Sequence, residues 1–126
     1  MCNDNQQVPE SLLNKACELI AREVGEQLPF KYRGIYINRK LIQATLEVLN
    51  AAPGRTLPQN CRQHTRHNTP DGLDRRIKER LNLDLRTANI VSDLLGRAGV
   101  VEVVEVETFR THRKVKGTRL KGEWSW

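Results

Sequence analysis

Residues 81–101, LNLDLRTANIVSDLLGRAGVV, constrain the chain more than any other stretch because they define a helix at both of its ends. Asp84 suits an N-cap, since its carboxylate can accept from the free N–H groups of the next turn. Ala88, Val91, Leu95 and Ala98 then recur at steps of three and four and so share one helical face. Gly99 is the expected stop, because glycine enters the left-handed conformation without a Cβ penalty. The spacing predicts a helix over 84–98 followed at once by a valine-rich strand.

Its neighbours extend the pattern on both sides. Residues 73–82 predict a short helix with Leu73, Ile77 and Leu81 buried and Arg75, Arg76, Lys78 and Arg80 outside. Residues 100–126 predict a β-hairpin. From Val104 onward the first strand alternates, and the Val103-Val104 doublet predicts either a bulge or a change of exposed face. In the returning stretch, 118–126, Leu120, Gly122, Trp124 and Trp126 share parity. Between them lies RTHRKVKG, a tip that carries Arg110, His112, Arg113, Lys114 and Lys116. Glu105, Glu107 and Glu123 are expected to face cross-strand cations, worth ~0.2–1 kcal/mol each.

Upstream, residues 1–8 lack useful apolar spacing and read as a loose end. Residues 9–28 predict a helix with a wide stripe of Leu12, Leu13, Ala16, Cys17, Leu19, Ile20 and Val24, ending between Gly25 and Pro29. That stripe must cover either its own domain or a second copy of the chain, which makes a homodimer through this helix one expectation. FKYRGIYI, 30–37, reads as an extended connector or strand whose tyrosines pack on the core. Asn38 caps a helix over 38–52 that Ala52-Pro53-Gly54 terminates. Residues 59–72 read as an inserted loop. Cys61, His64 and His67 in that loop have the form C-x2-H-x2-H, but three residues in a loop lack the fourth ligand of a tetrahedral zinc site. No metal or other cofactor is expected, and Arg62, His64, Arg66 and His67 read as a basic arm.

A chain of 126 residues suits one domain. No apolar run approaches the ~18 residues that a membrane span requires, and the N-terminus does not resemble a signal peptide. Cys2, Cys17 and Cys61 form no CxxC pair, which fits a reducing, cytoplasmic setting. The net charge of +6 lies in three islands: 31–40 with four bases and no acid, 55–80 with seven against three, and 108–126 with six against one. Clustered cations of this density suit a polyanion, because neutralised phosphates release condensed counterions. The sequence holds no Ser-His-Asp grouping, glycine-rich phosphate loop or HExxH pattern, so it is not expected to be an enzyme.

The succession of short helix, tight turn, capped helix, glycine and strand resembles the helix-turn-helix and first wing strand of winged-helix regulators of the arsenical-repressor-like kind. Leu81 and Leu83 stand where that family has apolar residues at the end of its second helix and in its turn. Asp84 takes the place of the usual Ser cap, Thr87-Ala88-Asn89 that of a Thr-Val-Ser-like triplet, and Leu95 and Gly99-Val100-Val101 fill the closing positions. Ser92 departs, standing where the family has a core leucine. The resemblance covers about 21 contiguous residues. It implies an α+β winged helix-turn-helix domain over 9–126 with an extra N-terminal helix, acting as a transcriptional regulator or accessory factor on duplex DNA. The helix from Asp84 would lie in the major groove, with Arg86 and Asn89 at base edges and Thr87 on phosphate. Arg75, Arg76 and Lys78 would hold the backbone, and Arg110, His112, Arg113, Lys114, Lys116 and Arg119 the adjacent phosphates. Leu85, Ile90 and Asp93, at positions the family exposes to DNA, suggest an alternative: a protein-assembly module with Leu85, Ile90 and Leu94 as its contact edge. RNA binding through the basic wing is a third reading.

Overall fold

The computed structural model describes residues 7–59, 72–83, 87–107 and 114–126. One helix, α2 (Arg39–Ala51), organises it, because eight of its thirteen residues, from Leu41 to Leu49, are buried. A helix apolar on so much of its circumference needs neighbours on several sides. It finds them in α1 (Glu10–Val24), α3 (Leu73–Leu81) and the short strand β3 (Thr56–Pro58). Its start is fixed by Asn38, whose side chain accepts from the Leu41 N–H at 2.9 Å, as the sequence predicted.

The helix α1 buries Leu13, Ala16 and Ile20 against α2 and α4 (Thr87–Arg97), so its stripe covers its own domain. It ends at Gly25, whose φ of 85° lets its N–H reach the Ala21 carbonyl at 2.7 Å. At the N-terminal side of α1 the Val8 N–H donates to Glu47 Oε2 of α2 at 3.0 Å. Glu47 Oε1 in turn accepts from Arg80 Nη1 at 2.8 Å, so Arg80 of α3, outside the buried face as expected, neutralises a buried carboxylate.

The segment 30–37, expected to be an extended connector or a strand, is built of strands. It is a hairpin of β1 (Phe30–Tyr32) and β2 (Ile35–Ile37), with Lys31 opposite Tyr36. Its two-residue turn places Arg33 at φ 53° and Gly34 at φ 87°, the signs that a tight hairpin of right-handed twist requires. Phe30, Ile35 and Ile37 are buried beneath it.

The end of α4 follows the sequence closely. The Gly99 N–H (φ 84°) donates to Gly96 O at 3.1 Å and the Val100 N–H to Leu95 O at 2.9 Å, the paired bonds of a Schellman stop. Val100 and Leu95 are both fully buried there. Strand β4 (Val101–Glu107) then pairs antiparallel with β5 (Lys114–Leu120), and β5 pairs with β3, giving the order β3-β5-β4.

One expectation for this hairpin is narrowed and another corrected. The register runs without interruption from Val101↔Leu120 to Glu107↔Lys114, so of the two alternatives at Val103-Val104 the bulge is absent, while the side that holds buried Val101 is exposed from Val103 onward. The doublet is absorbed because both faces accept valine: Val103 is exposed, while Val106 lies against Gly117 on the opposite face. The returning strand also begins four residues earlier than expected and stops at Leu120, where a 3₁₀ turn (Gly122–Trp124) ends the parity of the tail. Trp124 is buried, and Lys15 Nζ of α1 lies 5.3 Å from its ring centroid. The result is an α+β arrangement of four helices and two small antiparallel sheets among the described residues. None of these helices is long and apolar enough to cross a membrane.

Candidate nucleic-acid interface

A helix can read a groove only with the face it leaves outside, and α4 leaves little. Ala88, Val91, Ser92, Leu94 and Leu95 are fully buried, because α1, α3, the β1–β2 hairpin and β4 close around it. Asn89, Asp93 and Arg97, spaced four apart, remain exposed as one narrow strip, with Ile90 half-buried beside it. Two expected contacts fail on this geometry. Thr87 is only 2% exposed, so its side chain belongs to the interior and not to a phosphate contact. Leu94 lies in the core, which removes it from the apolar edge assigned to an assembly surface. Asp84, Leu85 and Arg86 lie outside the described residues.

Ser92 is not a defect in the core. Its hydroxyl lies 2.6 Å from Thr118 Oγ1 of β5, and Gln59 Nε2 donates to both, at 3.1 Å to Ser92 and 3.0 Å to Thr118. All three residues are buried, and a polar group in such a place is stable only when paired. The triad therefore fixes the centre of α4 to β5 and to the residue that follows β3. It replaces apolar packing at that position with a directional link.

The C-terminal half of the exposed strip is tied to the N-terminal hairpin. Arg33 Nη1 meets Asp93 Oδ2 at 3.1 Å, and the Tyr32 hydroxyl donates to the same oxygen at 3.2 Å. Arg97 Nη1 donates to the Tyr32 oxygen at 2.6 Å while Nη2 meets Glu23 Oε2 of α1 at 3.2 Å. The Tyr32 phenol, and after it the Glu23 carboxylate, hold the Arg97 guanidinium above its ordinary range. Asp93, the one acid on the exposed strip of α4, is thus neutralised by Arg33. The local signal is the Arg-Gly turn between an aromatic run, Phe30-Lys31-Tyr32, and a β-branched one, Ile35-Tyr36-Ile37, but its partner sixty residues away is visible only in three dimensions.

The basic islands divide in the same way. Arg75 of α3 pairs with Glu79 at 2.9 Å, Arg76 is half-buried, and Lys78 is exposed. In the C-terminal hairpin, Arg119 Nε and Nη2 both reach Glu102 Oε2, at 2.9 and 2.8 Å, while Lys116 and Lys114 stand directly opposite Glu105 and Glu107. Three acids and three bases thus make the described stem electrically balanced. Arg110, His112 and Arg113 at its tip lie outside the described residues, as do Cys61, His64, His67 and their basic neighbours. Lys31, Lys40, Lys78, Lys114 and Lys116 enter no ion pair with another described residue.

Two other features carry less. A shallow hollow of about 390 Å³ beside α4 is lined by Asp93, Arg97, Glu102 and Lys121 among others, two acids against two bases, so it offers an anion no net attraction. Cys17 of α1 is half-buried, and that burial pushes its thiol up against the opposing pull of Arg39. Comparison with known protein families, characterised proteins and solved structures finds no match to this chain.

Proposed function

We propose that this chain is a winged-helix DNA-binding protein that acts as a transcriptional regulator or accessory factor. The observation that carries the reading is the sheet order β3-β5-β4, with α3 and α4 inserted between β3 and β4. That is the connectivity a winged helix-turn-helix requires of 39–120, with α4 as reading helix and β4–β5 as wing. The N-terminal half of α4 offers Asn89, suited to paired bonds with adenine, next to the position of Arg86. Lys78 of α3 and the cations of the wing tip supply phosphate contacts on either side. The assembly reading loses support from the burial of Leu94 and from the packing of α1 on its own domain.

Titration of random duplex DNA by fluorescence anisotropy across a salt series tests the proposal. Affinity is expected to fall steeply, with a log–log slope of about −0.9 per phosphate neutralised. Charge reversal of Arg113 and Lys114 should lower both affinity and slope, and Asn89→Ala should reduce discrimination between sequences. No binding at low salt, or binding indifferent to salt, would overturn it. Competition with structured RNA distinguishes the RNA reading.

A further inference from the structure

The N-terminal hairpin carries a feature that folding alone does not demand. Among the described aromatic residues Phe30, Tyr32, Tyr36, Trp124 and Trp126, only Tyr36 is exposed, at 55%. Phe30, Tyr32, Ile35 and Ile37 face the protein; Lys31 and Tyr36, directly opposed across the two strands, face away from it. Lys40 follows in the first turn of α2, also exposed. The stretch 31–40 contains no acid, and its two arginines are engaged by Asp93 and Glu10. What it leaves outside is an aromatic ring with one lysine across from it and another four residues on.

The hairpin is also held in place. Its buried face is anchored by Phe30, Ile35 and Ile37, and its tip is fastened to α4 through Arg33–Asp93 and Tyr32–Arg97. The hairpin tip therefore sits beside the exposed strip of α4, at Asp93 and Arg97. A ring face recognises what can lie flat on it, and the bases inside a duplex are already stacked on each other, so only an unpaired base has a free face to offer. Lysines beside the ring suit the phosphates of the same strand.

We infer that the Lys31–Tyr36 face of the β1–β2 hairpin is a second nucleic-acid contact, which stacks an unpaired base on Tyr36 and holds its phosphates with Lys31 and Lys40. This rests on the nucleic-acid reading above and adds to it a preference for duplexes that carry a single-stranded extension.

The test uses the full chain and three labelled probes of one sequence: a blunt duplex, the same duplex with a six-nucleotide overhang, and the overhang strand alone. Wild type should bind the overhang duplex more tightly than the blunt one. Tyr36→Ala should lose about tenfold or more on the overhang duplex, the order expected of one stacked base, and little on the blunt duplex. Tyr36→Phe should retain the preference, since stacking needs the ring and not the hydroxyl, and Lys31→Ala should lower the salt slope on the overhang duplex. Thermal melts confirm that the exposed substitutions leave the fold intact. Equal affinity of wild type for blunt and overhang duplexes, or a Tyr36→Ala loss equal on both, overturns the inference while leaving duplex binding standing. Failure of wild type to bind any of the three probes overturns both.

Discussion

The molecule contains two β-hairpins that both begin from basic sequence, and they use their charge in opposite ways. In β1–β2 the acids are absent locally, and the arginines find them elsewhere, on α4 and α1. The lysines and one tyrosine are left facing solvent. In β4–β5 the acids lie on the neighbouring strand, and the register sets Glu102, Glu105 and Glu107 opposite Arg119, Lys116 and Lys114. The described β4–β5 stem, three cations against three acids, is therefore neutral by itself, whereas 31–40 has four cations and no acid of its own. Local charge density is a poor guide to accessible charge, because a partner across a strand or on a distant helix cancels it.

This contrast can be broken at the root of the C-terminal hairpin. Ser92→Leu restores the residue that the winged-helix resemblance implies at that position, but it should force apart the Gln59–Ser92–Thr118 triad. We expect a loss of ~2–4 kcal/mol from overpacking and disrupted hydrogen bonds, measured by denaturant unfolding. A leucine tolerated without loss would mean that the triad does not fasten β5 to α4. Next in size is Gly117→Ala, whose Cβ would approach Val106 Cγ1 to 2.9 Å and the Leu57 carbonyl to 3.1 Å. Val106 can yield, but the Leu57 oxygen is backbone of the adjoining strand, so about 1–3 kcal/mol should be lost and Val106→Ala should rescue only part of it.

A smaller effect is expected at the N-terminal hairpin. Asp93→Ala removes the exposed partner of Arg33 and should change global stability by less than about 1 kcal/mol. Hydrogen exchange of the β1 and β2 amides should nonetheless accelerate, because the tip keeps only its Tyr32–Arg97 tie to α4. Unchanged exchange would show that the Asp93 tie does not position the hairpin. Smallest in stability, at roughly 0.2–0.5 kcal/mol in all, is the replacement of Glu105 and Glu107 by Gln, since Lys116 and Lys114 stand opposite them in register without closing an ion pair to them. If these acids neutralise the stem, that variant should bind duplex DNA more tightly than wild type and with a steeper salt slope. An unaltered slope would mean that the stem lies away from the phosphates.

Much of the backbone was legible in the residues. The Asn38 cap, the Gly25 and Gly99 stops and the apolar spacings of α1, α2, α3 and α4 are local signals, resolved within one or two helical turns. The Val103-Val104 doublet leaves a bulge and a change of exposed face both open, because a pattern of two valines is compatible with either. Only the pairing register distinguishes them. Tyr36 was read as a packing residue from composition, whereas its strand parity, set by the Arg33-Gly34 turn, turns it outward. Thr87 and Leu94 were assigned to contact surfaces because helical spacing gives the relative angles of residues, not how many neighbours will surround the helix.

By itself, then, the amino-acid sequence determined where helices start and stop, which stretches extend, and that the chain carries clustered positive charge. Those properties follow from caps, turns and periodicity, which act over a few residues. Tertiary structure alone decided which charges remain available. Arg80 is drawn to Glu47, Arg33 to Asp93 and Arg119 to Glu102, each over a separation of seventeen residues or more. Ion pairing depends on distance in space, and the fold sets that distance by burying apolar faces. It thereby leaves Asn89, Lys78 and the Lys31–Tyr36 face open to a partner.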